Sequence, residues 1–365
     1  MTLLNRYLYG QTVRGLLLAF AIIISLVVLV DYVEISRRIG SYDQVSSLTI
    51  LRLTLLKMPG VVEQTLPFIV LFGVMWSMFR LNRRSELVAL RAAGYSAWKF
   101  TIPPAIIAVL LGVFSATVIN PGATWLNAQF EAERISISRS VGASVGSSKE
   151  NIWLREAVSS GYAIIHAKDS NPQNAELLDV IMFYYKLDEN QVPVFVKRID
   201  AKKAQLRDGF WELSDASENI RHALPVPHEN YRVETSLNPN SMLEYLADAS
   251  SMSFWDFPQM IERTRAAQLD TRRYELQWQR LLALPLTLAA MAIIGAAFSF
   301  RMVRLGGVFG MVITGGSIGF LLYFAGDLLE ALGTTGVLPP VVAIWSAPAF
   351  IFFSALARIT IVEDG

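Results

Sequence analysis

Hydrophobic residues are concentrated in six long stretches, three before residue 120 and three after residue 280. A helix needs about 20 mainly apolar residues to cross the ~30 Å hydrocarbon core of a bilayer. Two stretches have only 16 uncharged residues, so flanking residues must complete those spans. The six predicted membrane helices are centred on Gly15–Val30, Gln64–Phe79, Phe100–Ile119, Leu281–Phe300, Leu305–Gly326 and Ala331–Ala357.

Between the third and fourth stretches the pattern changes to short β-branched and aromatic runs separated by turn residues. The predicted strands are Asn151–Arg155, Tyr162–Ala167, Leu178–Leu187, Val192–Ile199, Lys203–Leu206, Phe210–Leu213 and Tyr231–Thr235. Asp208-Gly209 is the strongest hairpin signal. Many short strands with no helix between them predict a sandwich, a jelly roll or an open barrel. A helical pattern over Trp255–Gln279 then leads into the fourth span.

Charged residues divide the chain in the same way. Of 63 Asp, Glu, Lys and Arg residues, 40 lie within residues 131–280. That segment is about 27% charged, close to the average of soluble domains, and the rest of the chain is about 11% charged. We therefore predict an α-helical integral membrane protein with six transmembrane helices and an inserted all-β domain. The predicted domains are 1–121 with three spans, 122–276 with the β domain and a connecting helix, and 277–365 with three spans.

Positive charges in short loops predict the orientation, because such loops tend to stay in the cytoplasm. With the N-terminus inside, the inner loops and termini contain ten cations and the outer short loops four. The inner cations are Arg6, Arg14, Arg80, Arg83, Arg84, Arg91, Lys99, Arg301, Arg304 and Arg358. Asp327 and Glu330 fall in the predicted outer loop between the last two spans. Both termini are therefore expected in the cytoplasm, with the β domain on the opposite side.

Composition excludes several classes of function. A net charge of +1 argues against nucleic acid binding, and the chain has no cysteine and three histidines. The dipeptide Gly-Lys never occurs, so there is no P-loop. A nucleophile-elbow pattern at Gly142–Gly146 lies in a Ser/Gly-rich stretch, without the strand-to-helix turn that catalysis needs. We predict no catalytic residue, no metal site and no cofactor bound by this chain, so any ATP must be hydrolysed by a partner.

The inner loop after the second span carries the most informative pattern. A short helix of about residues 85–93 is expected to start at Ser85 as its cap, with an acid in its first turn and Gly94 as its stop. It combines apolar and charged positions, as expected of a helix that transmits force from a soluble partner. A solvated loop with positive-inside bias is the alternative. The candidate coupling residues are Arg83, Arg84, Ser85, Glu86, Leu87, Leu90 and Arg91.

Glycines four residues apart mark the fifth span. The pairs Gly306/Gly310 and Gly315/Gly319 each lie on one helix face and permit close approach of another backbone. Three interpretations stay open, namely packing within the chain's own bundle, a seam between subunits, and a movable lateral gate.

The sequence resembles the LptF/LptG permease family, the membrane subunits of the lipopolysaccharide-exporting ABC transporter. Three segments carry the resemblance: Glu63–Pro67 continuing to Gly73, Arg84–Val88 continuing to Gly94, and Gly336–Pro340. Ser41–Asp43, Arg84–Val88 and Arg273–Leu276 look more like the G member than the F member. The order of spans and β domain extends the likeness over essentially the whole chain.

The resemblance implies a permease subunit that extracts lipopolysaccharide from the inner membrane and passes it to a periplasmic bridge. The implied partners are an LptF-like sister permease, a dimeric LptB-like ATPase that binds ATP and magnesium, an LptC-like single-span protein and an LptA-like bridge. It also implies a jelly-roll-like β domain in the periplasm and a coupling helix at residues 85–93. The glycolipid would enter between the first span of one subunit and the fifth span of the other.

Candidate contacts for the anionic glycolipid are cations at the outer rim, which can pair acidic groups without burying charge in hydrocarbon. They are Arg37, Arg38, Arg134 and Arg139. Ordinary interfacial arginines are the alternative interpretation. Asp31 stands where G members of the family can carry a basic residue. Three other functions remain to be weighed: a membrane-anchored scaffold whose β domain binds envelope partners, a lipid-modifying enzyme and an ion-coupled carrier. The last is disfavoured because no charge lies in the middle of a predicted span.

Overall fold

The computed structural model describes residues 3–39, 46–140, 152–158, 161–171, 176–187, 193–207, 209–220, 224–235, 252–266, 270–302 and 307–364. The chain divides into two compact units. The helical unit comprises Met1–Arg134, Ser250–Phe257 and Arg272–Gly365. The β-sheet unit comprises Ile135–Ala249 and Pro258–Thr271.

Six helices in the described residues are long and apolar enough to cross a membrane, which agrees with the predicted architecture. The helices are α1 (Leu3–Ile39), α2 (Ser47–Arg83), α3 (Glu86–Ala92), α4 (Ala97–Phe114), a π-helical segment (Ser115–Ile119), α5 (Asn120–Ser140), α6 (Phe257–Ala266), α7 (Arg272–Met302), α8 (Gly307–Thr334) and α9 (Pro340–Asp364). α4, the π-helical segment and the first part of α5 form the third span.

The two short apolar stretches become the two longest helices. α1 and α2 each have 37 residues, so flanking residues do complete both spans. Ser46 caps α2, since its hydroxyl accepts hydrogen bonds from the backbone amides of Leu48 and Thr49 at 3.2 and 3.4 Å. Residues predicted to lie outside the second span, such as Lys57 and Glu63, are therefore helical.

The third span continues through Asn120-Pro121-Gly122, where the apolar stretch ends in the sequence. Pro121 has no N–H to give to the carbonyl of Thr117 four residues earlier. The chain forms a π-helical turn at this point, and the Thr117 carbonyl accepts a hydrogen bond from the indole of Trp255 at 3.2 Å. Because both adjustments satisfy the backbone, the proline does not end the helix.

The turn between α8 and α9 lies later than the sequence suggests. Asp327 and Glu330 are inside α8, so their prediction as loop residues is wrong. The helix ends instead at Thr334, and Gly336 follows it with a φ of +80°, which glycine adopts without strain. The Gly336 and Val337 amides bond back to the carbonyls of Gly333 and Leu332 at 3.1 and 3.0 Å.

The core of the helical unit is centred on α2 and α7. In the apolar, membrane-spanning part of α7, 67% of the residues are buried within the chain, compared with 11% in α1 and 11% in α8. Small residues let α7 pack closely: Ala292 and Ala296 are fully buried, and Gly112 of α4 lies against the backbone of Pro285. α7 is therefore mostly covered by other helices of this chain, and α1 and α8 leave most of their apolar surface uncovered.

The inserted β domain is confirmed. Its strands are β1 (Ile152–Val158), β2 (Gly161–Asn171), β3 (Glu176–Leu187), β4 (Pro193–Arg207), β5 (Phe210–Ile220) and β6 (Val226–Glu234). They form one antiparallel sheet in sequence order, a meander in the part of the chain that the structure describes. β4 joins two predicted strands, Val192–Ile199 and Lys203–Leu206, and Gly209 at φ +84° makes the β4–β5 hairpin predicted from Asp208-Gly209. Trp211 is fully buried in the core on one face of the sheet.

Candidate functional site

A cavity of about 490 Å³ lies among the membrane helices of the helical unit. This volume falls within the range of sites that bind small molecules or parts of larger ligands. Much of its wall is apolar, with Phe68 from α2, Leu284 and Met291 from α7, and Ile351 from α9. The cavity therefore offers a mainly hydrophobic surface among the candidate membrane helices.

Polar side chains line the cavity in pairs. Lys57 Nζ lies 3.2 Å from the Asp31 carboxylate, and Arg280 Nη1 lies 3.4 Å from Glu330. A third carboxylate, Glu63, accepts a hydrogen bond from the Asn120 amide at 3.2 Å. With Asp327, the lining has four carboxylates and two cations. Both cations already have a carboxylate within ion-pair distance. An anion could therefore bind the cavity wall only by displacing one of these carboxylates.

Asn120 connects the cavity to the segment before α6. Its side-chain oxygen accepts a hydrogen bond from the Phe254 backbone amide at 2.8 Å, and its Nδ2 donates to Glu63. Asn120 is buried, so these bonds are made in a poorly solvated place where an unpaired amide is costly. Together with the bond from Trp255 to Thr117, they fix residues 254–255 against the third span.

Of the four rim arginines, Arg37 and Arg134 have described side chains, and neither lines this cavity. Arg37 is exposed at the end of α1, and Arg134 pairs with Glu131 at 2.8 Å on α5. The side chains of Arg38 and Arg139 lie outside the description. The sequence reasoning missed Lys57 and Arg280 as cavity residues. Lys57 stands about two turns before the apolar stretch Gln64–Phe79, so only the full length of α2 would have revealed it. Arg280 directly precedes Leu281–Phe300 and reads in the sequence as an ordinary flanking charge.

The predicted coupling helix forms as α3, with seven residues. Leu87 is 4% exposed and belongs to the core cluster that also contains Leu8 of α1 and Phe100 of α4. Leu90 packs more loosely against the same cluster. Val88, on the other side of the helix, is 61% exposed. One face of α3 is thus anchored in the helical unit, and another face is available to a partner.

A hydrogen bond to Glu86 connects α3 to α1. The Tyr7 hydroxyl donates to the Glu86 carboxylate at 2.6 Å, and Arg84 Nη1 lies 3.8 Å from the same carboxylate. Arg83, Arg84 and Arg91 are exposed around the helix. Glu86, which the resemblance would place against a basic residue of the ATPase, therefore also has a partner within this chain.

The two ends of α3 differ from one another in how they are capped. The predicted cap at Ser85 is wrong in detail, because Ser85 adopts a left-handed φ of 58° and its hydroxyl makes no capping bond. Gly94, with φ +84°, ends the helix as predicted. The amides of Gly94 and Tyr95 bond to the carbonyls of Arg91 and Leu90 at 2.9 and 3.1 Å, which is a Schellman motif.

The glycines of the fifth span face different surroundings. An added Cβ at Gly315 would lie 2.7 Å from Met75 Sδ, and at Gly319 2.8 Å from the ring of Phe68, so both glycines pack against α2 of the same chain. Gly310 is half-buried, and Gly306 lies outside the described residues. The exposed side of α8 instead carries large apolar side chains, among them Phe320 and Leu321.

Within the described part of the chain, no group of three His, Asp or Glu side chains could hold a metal ion. The rings of His166 and Trp153 are in tilted contact with centroids 4.3 Å apart, and His228 lies beside Tyr231. The Gly142–Gly146 pattern falls outside the described residues.

Comparison with known proteins gives a match over almost the whole chain. Residues 6–360 match the family described as lipopolysaccharide export system permease LptF/LptG. The lipopolysaccharide export system permease protein LptG of Haemophilus influenzae is 24% identical over 357 residues, which cover 96% of this chain and 95% of that protein. The LptG protein of Escherichia coli is 22% identical over 366 residues, covering 97% and 96%.

Proposed function

Because this chain belongs to the LptF/LptG family of lipopolysaccharide export system permeases, we propose that it is the LptG-type subunit of an ATP-driven exporter. The family description as a permease supports a transport role for this chain, and the proposal assigns ATP hydrolysis to a partner. In the proposed cycle it takes lipopolysaccharide from the inner membrane and passes it to a periplasmic bridge. The proposed partners are an LptF-like permease, a dimeric LptB-like ATPase with ATP and magnesium, an LptC-like single-span protein and an LptA-like bridge.

The packing of α3 is the observation that most strongly supports an external source of energy. The sequence contains no P-loop, so force must arrive through contact with a partner. Leu87 is embedded among residues of α1, α2 and α4, and Glu86 is bonded to Tyr7 of α1. α1 and α2 also carry Asp31, Lys57 and Glu63 of the cavity. A displacement of α3 would thus move the helices that form the cavity wall.

The uncovered faces of α1 and α8 support the proposed seam with a sister permease. In each of these two helices, only 11% of the residues in the apolar, membrane-spanning part are buried within the chain. These are the first and fifth spans, between which the glycolipid would enter. Because Gly315 and Gly319 already pack on α2, the glycines would act as a pivot of α8 on α2, and the bulky side chains would form the seam itself.

The balance of charges argues for headgroup binding at the rim. A phosphate inside the cavity would meet four carboxylates and would have to displace one of them from Lys57 or Arg280. At the rim, Arg37 is exposed, and the Arg134–Glu131 pair is partly exposed, so a phosphate can approach both arginines from solvent, where an existing ion pair is weak. Arg38 and Arg139 complete the proposed set of rim contacts. The acyl chains would then occupy the apolar wall of the cavity.

The proposed orientation places both termini and α3 in the cytoplasm and the β-sheet unit in the periplasm, with the protein in the inner membrane. The ten inner cations support it, as does the position of α3 among Arg80, Arg83, Arg84 and Arg91.

The test is ATP-dependent release of lipopolysaccharide from vesicles that contain the purified complex. Val88→Glu places a charge on the exposed face of α3 without disturbing the Leu87 anchor, so the complex should assemble but release should fall at least about tenfold, equivalent to about 1.4 kcal/mol of lost coupling. Leu224→Glu, at an apolar residue 86% exposed in the β-sheet unit, is the matched control and should release normally. Wild-type release by an assembled Val88→Glu complex would refute the proposal and favour a scaffold.

A further inference from the structure

A second, smaller cavity lies between α1 and α2 at the end of the helical unit that contains α3. Its volume is about 180 Å³, and Gln11, Arg14, Trp76, Ser77 and Arg80 are among its lining residues. It is separate from the larger cavity, since the two share no lining residue. α1 and α2 touch beside it, because Gly15 packs against the backbone carbonyl of Gly73.

Two arginines from different helices converge on this cavity. Arg14 is exposed and Arg80 is partly buried. Neither has an ion-pair partner among the residues that the structure describes, unlike Lys57 and Arg280 in the larger cavity. Two unneutralised guanidinium groups at one opening favour an anion, and a phosphate can accept paired hydrogen bonds from each.

Ser77 provides independent support. It is 2% exposed, and its hydroxyl has no hydrogen-bond partner in the described structure. Thr12 and Thr101, two other buried hydroxyls of the membrane helices, bond to the carbonyl four residues earlier within 2.9 Å. Ser115 in the π-helical segment also lacks a partner among the described residues, but it does not line this cavity. A buried hydroxyl without a partner is costly, so a donor that lines a basic cavity is typical of a binding site for an acceptor ligand.

We propose that this cavity binds the phosphate of an anionic phospholipid in the membrane leaflet on the α3 side. Basic pockets between membrane helices near an interface bind such headgroups, and a tryptophan at the same level is typical of the interface. The volume accommodates a single phosphate and its immediate neighbours and is smaller than typical pockets for larger ligands. Only the assignment to the cytoplasmic leaflet depends on the orientation proposed above.

The bound phosphate would join α1 to α2 close to the contact with α3. Tyr7, Gln11 and Arg14 follow one another at helical spacing on one face of α1, and Tyr7 holds Glu86. The bound lipid would therefore stabilise the position of α1 in which Tyr7 bonds to Glu86 of α3.

The test uses vesicles that contain the full complex, phosphatidylcholine and a photoactivatable phosphatidylglycerol, without ATP or lipopolysaccharide, so the result does not depend on transport. Crosslinks are expected on peptides around Arg14 and Arg80 and should be reduced by unlabelled phosphatidylglycerol but not by additional phosphatidylcholine. The double variant Arg14→Gln with Arg80→Gln loses two charge-assisted contacts and should reduce crosslinking at least about tenfold. Arg6→Gln, at an exposed arginine of α1 outside the cavity, should leave crosslinking unchanged.

Ser77→Ala keeps the test decisive if the double variant assembles poorly, because the hydroxyl has no partner to lose within the described chain. We expect a several-fold reduction of crosslinking with unchanged assembly. Wild-type crosslinking in both variants would overturn the proposal. Competition by inorganic phosphate as effective as that by phosphatidylglycerol would overturn its assignment to a lipid.

Discussion

Asn120 is the residue at which the cavity and the segment before α6 are joined, and its removal is a direct test of that connection. Asn120→Ala removes the bond to the Glu63 carboxylate and the bond from the Phe254 amide. A hydrogen bond to a charged group contributes about 1.5–3 kcal/mol and a neutral one about 0.5–1.5 kcal/mol. Water in the cavity can partly replace Asn120 at Glu63, so we expect the free energy of unfolding to fall by about 2 kcal/mol.

The measurement is unfolding of the purified full-length protein by a denaturing detergent, followed by helical circular dichroism. A double-mutant cycle of Asn120→Ala with Glu63→Ala should give a coupling energy of about 1 kcal/mol, because the two side chains share a bond. The same cycle with Gln64→Ala, at the next residue of the cavity lining, should be additive. Additivity within about 0.3–0.5 kcal/mol for the Glu63 cycle would refute the contribution assigned to this contact.

Two further predictions concern helix packing and the β-sheet unit. Gly112→Ala places a Cβ 2.5 Å from the backbone of Pro285 and should destabilise the helical unit by about 1–3 kcal/mol. Gly316→Ala has open space around it and should stabilise α8 by up to about 1 kcal/mol. Stability changes of the same sign for both variants in detergent unfolding would contradict this packing. In the β-sheet unit, the hydrogen bond from Lys197 at 2.9 Å lowers the pKa of Glu218. The stability that this pair adds is therefore present at neutral pH. It is lost as the pH falls from the ordinary glutamate pKa of about 4.3 through the lowered pKa of Glu218. Glu218→Gln should remove that part of the acid dependence of thermal unfolding between pH 7 and 3, and identical acid profiles of variant and wild type would count against it.

The architecture could be predicted because it depends on local composition. Six apolar stretches and one charged segment are visible in any window of about 20 residues, and each corresponds to a span or to the inserted sheet. The hairpin at Gly209 and the end of α3 at Gly94 were also predictable. Both glycines have φ of +84°, a backbone conformation that other residues rarely adopt, so the residue type itself reports the conformation.

Helix boundaries were less predictable, because partners distant in sequence decide them. Asn120-Pro121-Gly122 is typical of a helix end, yet the helix continues to Ser140. The carbonyl that Pro121 leaves free bonds to Trp255, 138 residues away from Thr117. No pattern near residue 120 contains that information. The same reason explains why the ion pair of Lys57 with Asp31 was missed, since it joins residues of two different helices, 26 positions apart in the sequence.

The residues that form the candidate seam could not be predicted from the sequence for a different physical reason. A helix that contacts lipid and a helix that contacts another subunit both need apolar side chains, so α1 and α8 are hydrophobic around most of their circumference and show no preferred face. Glycine spacing was the one directional signal in α8, and it marks the face that packs on α2 rather than the uncovered one. The uncovered face is identified only when the chain's own contacts are known, because it is the apolar surface that remains after they are made. For α8 that surface includes Phe320, Leu321 and Phe324, and these residues, rather than the glycines, are where contact with a sister permease or with the acyl chains of the substrate is expected.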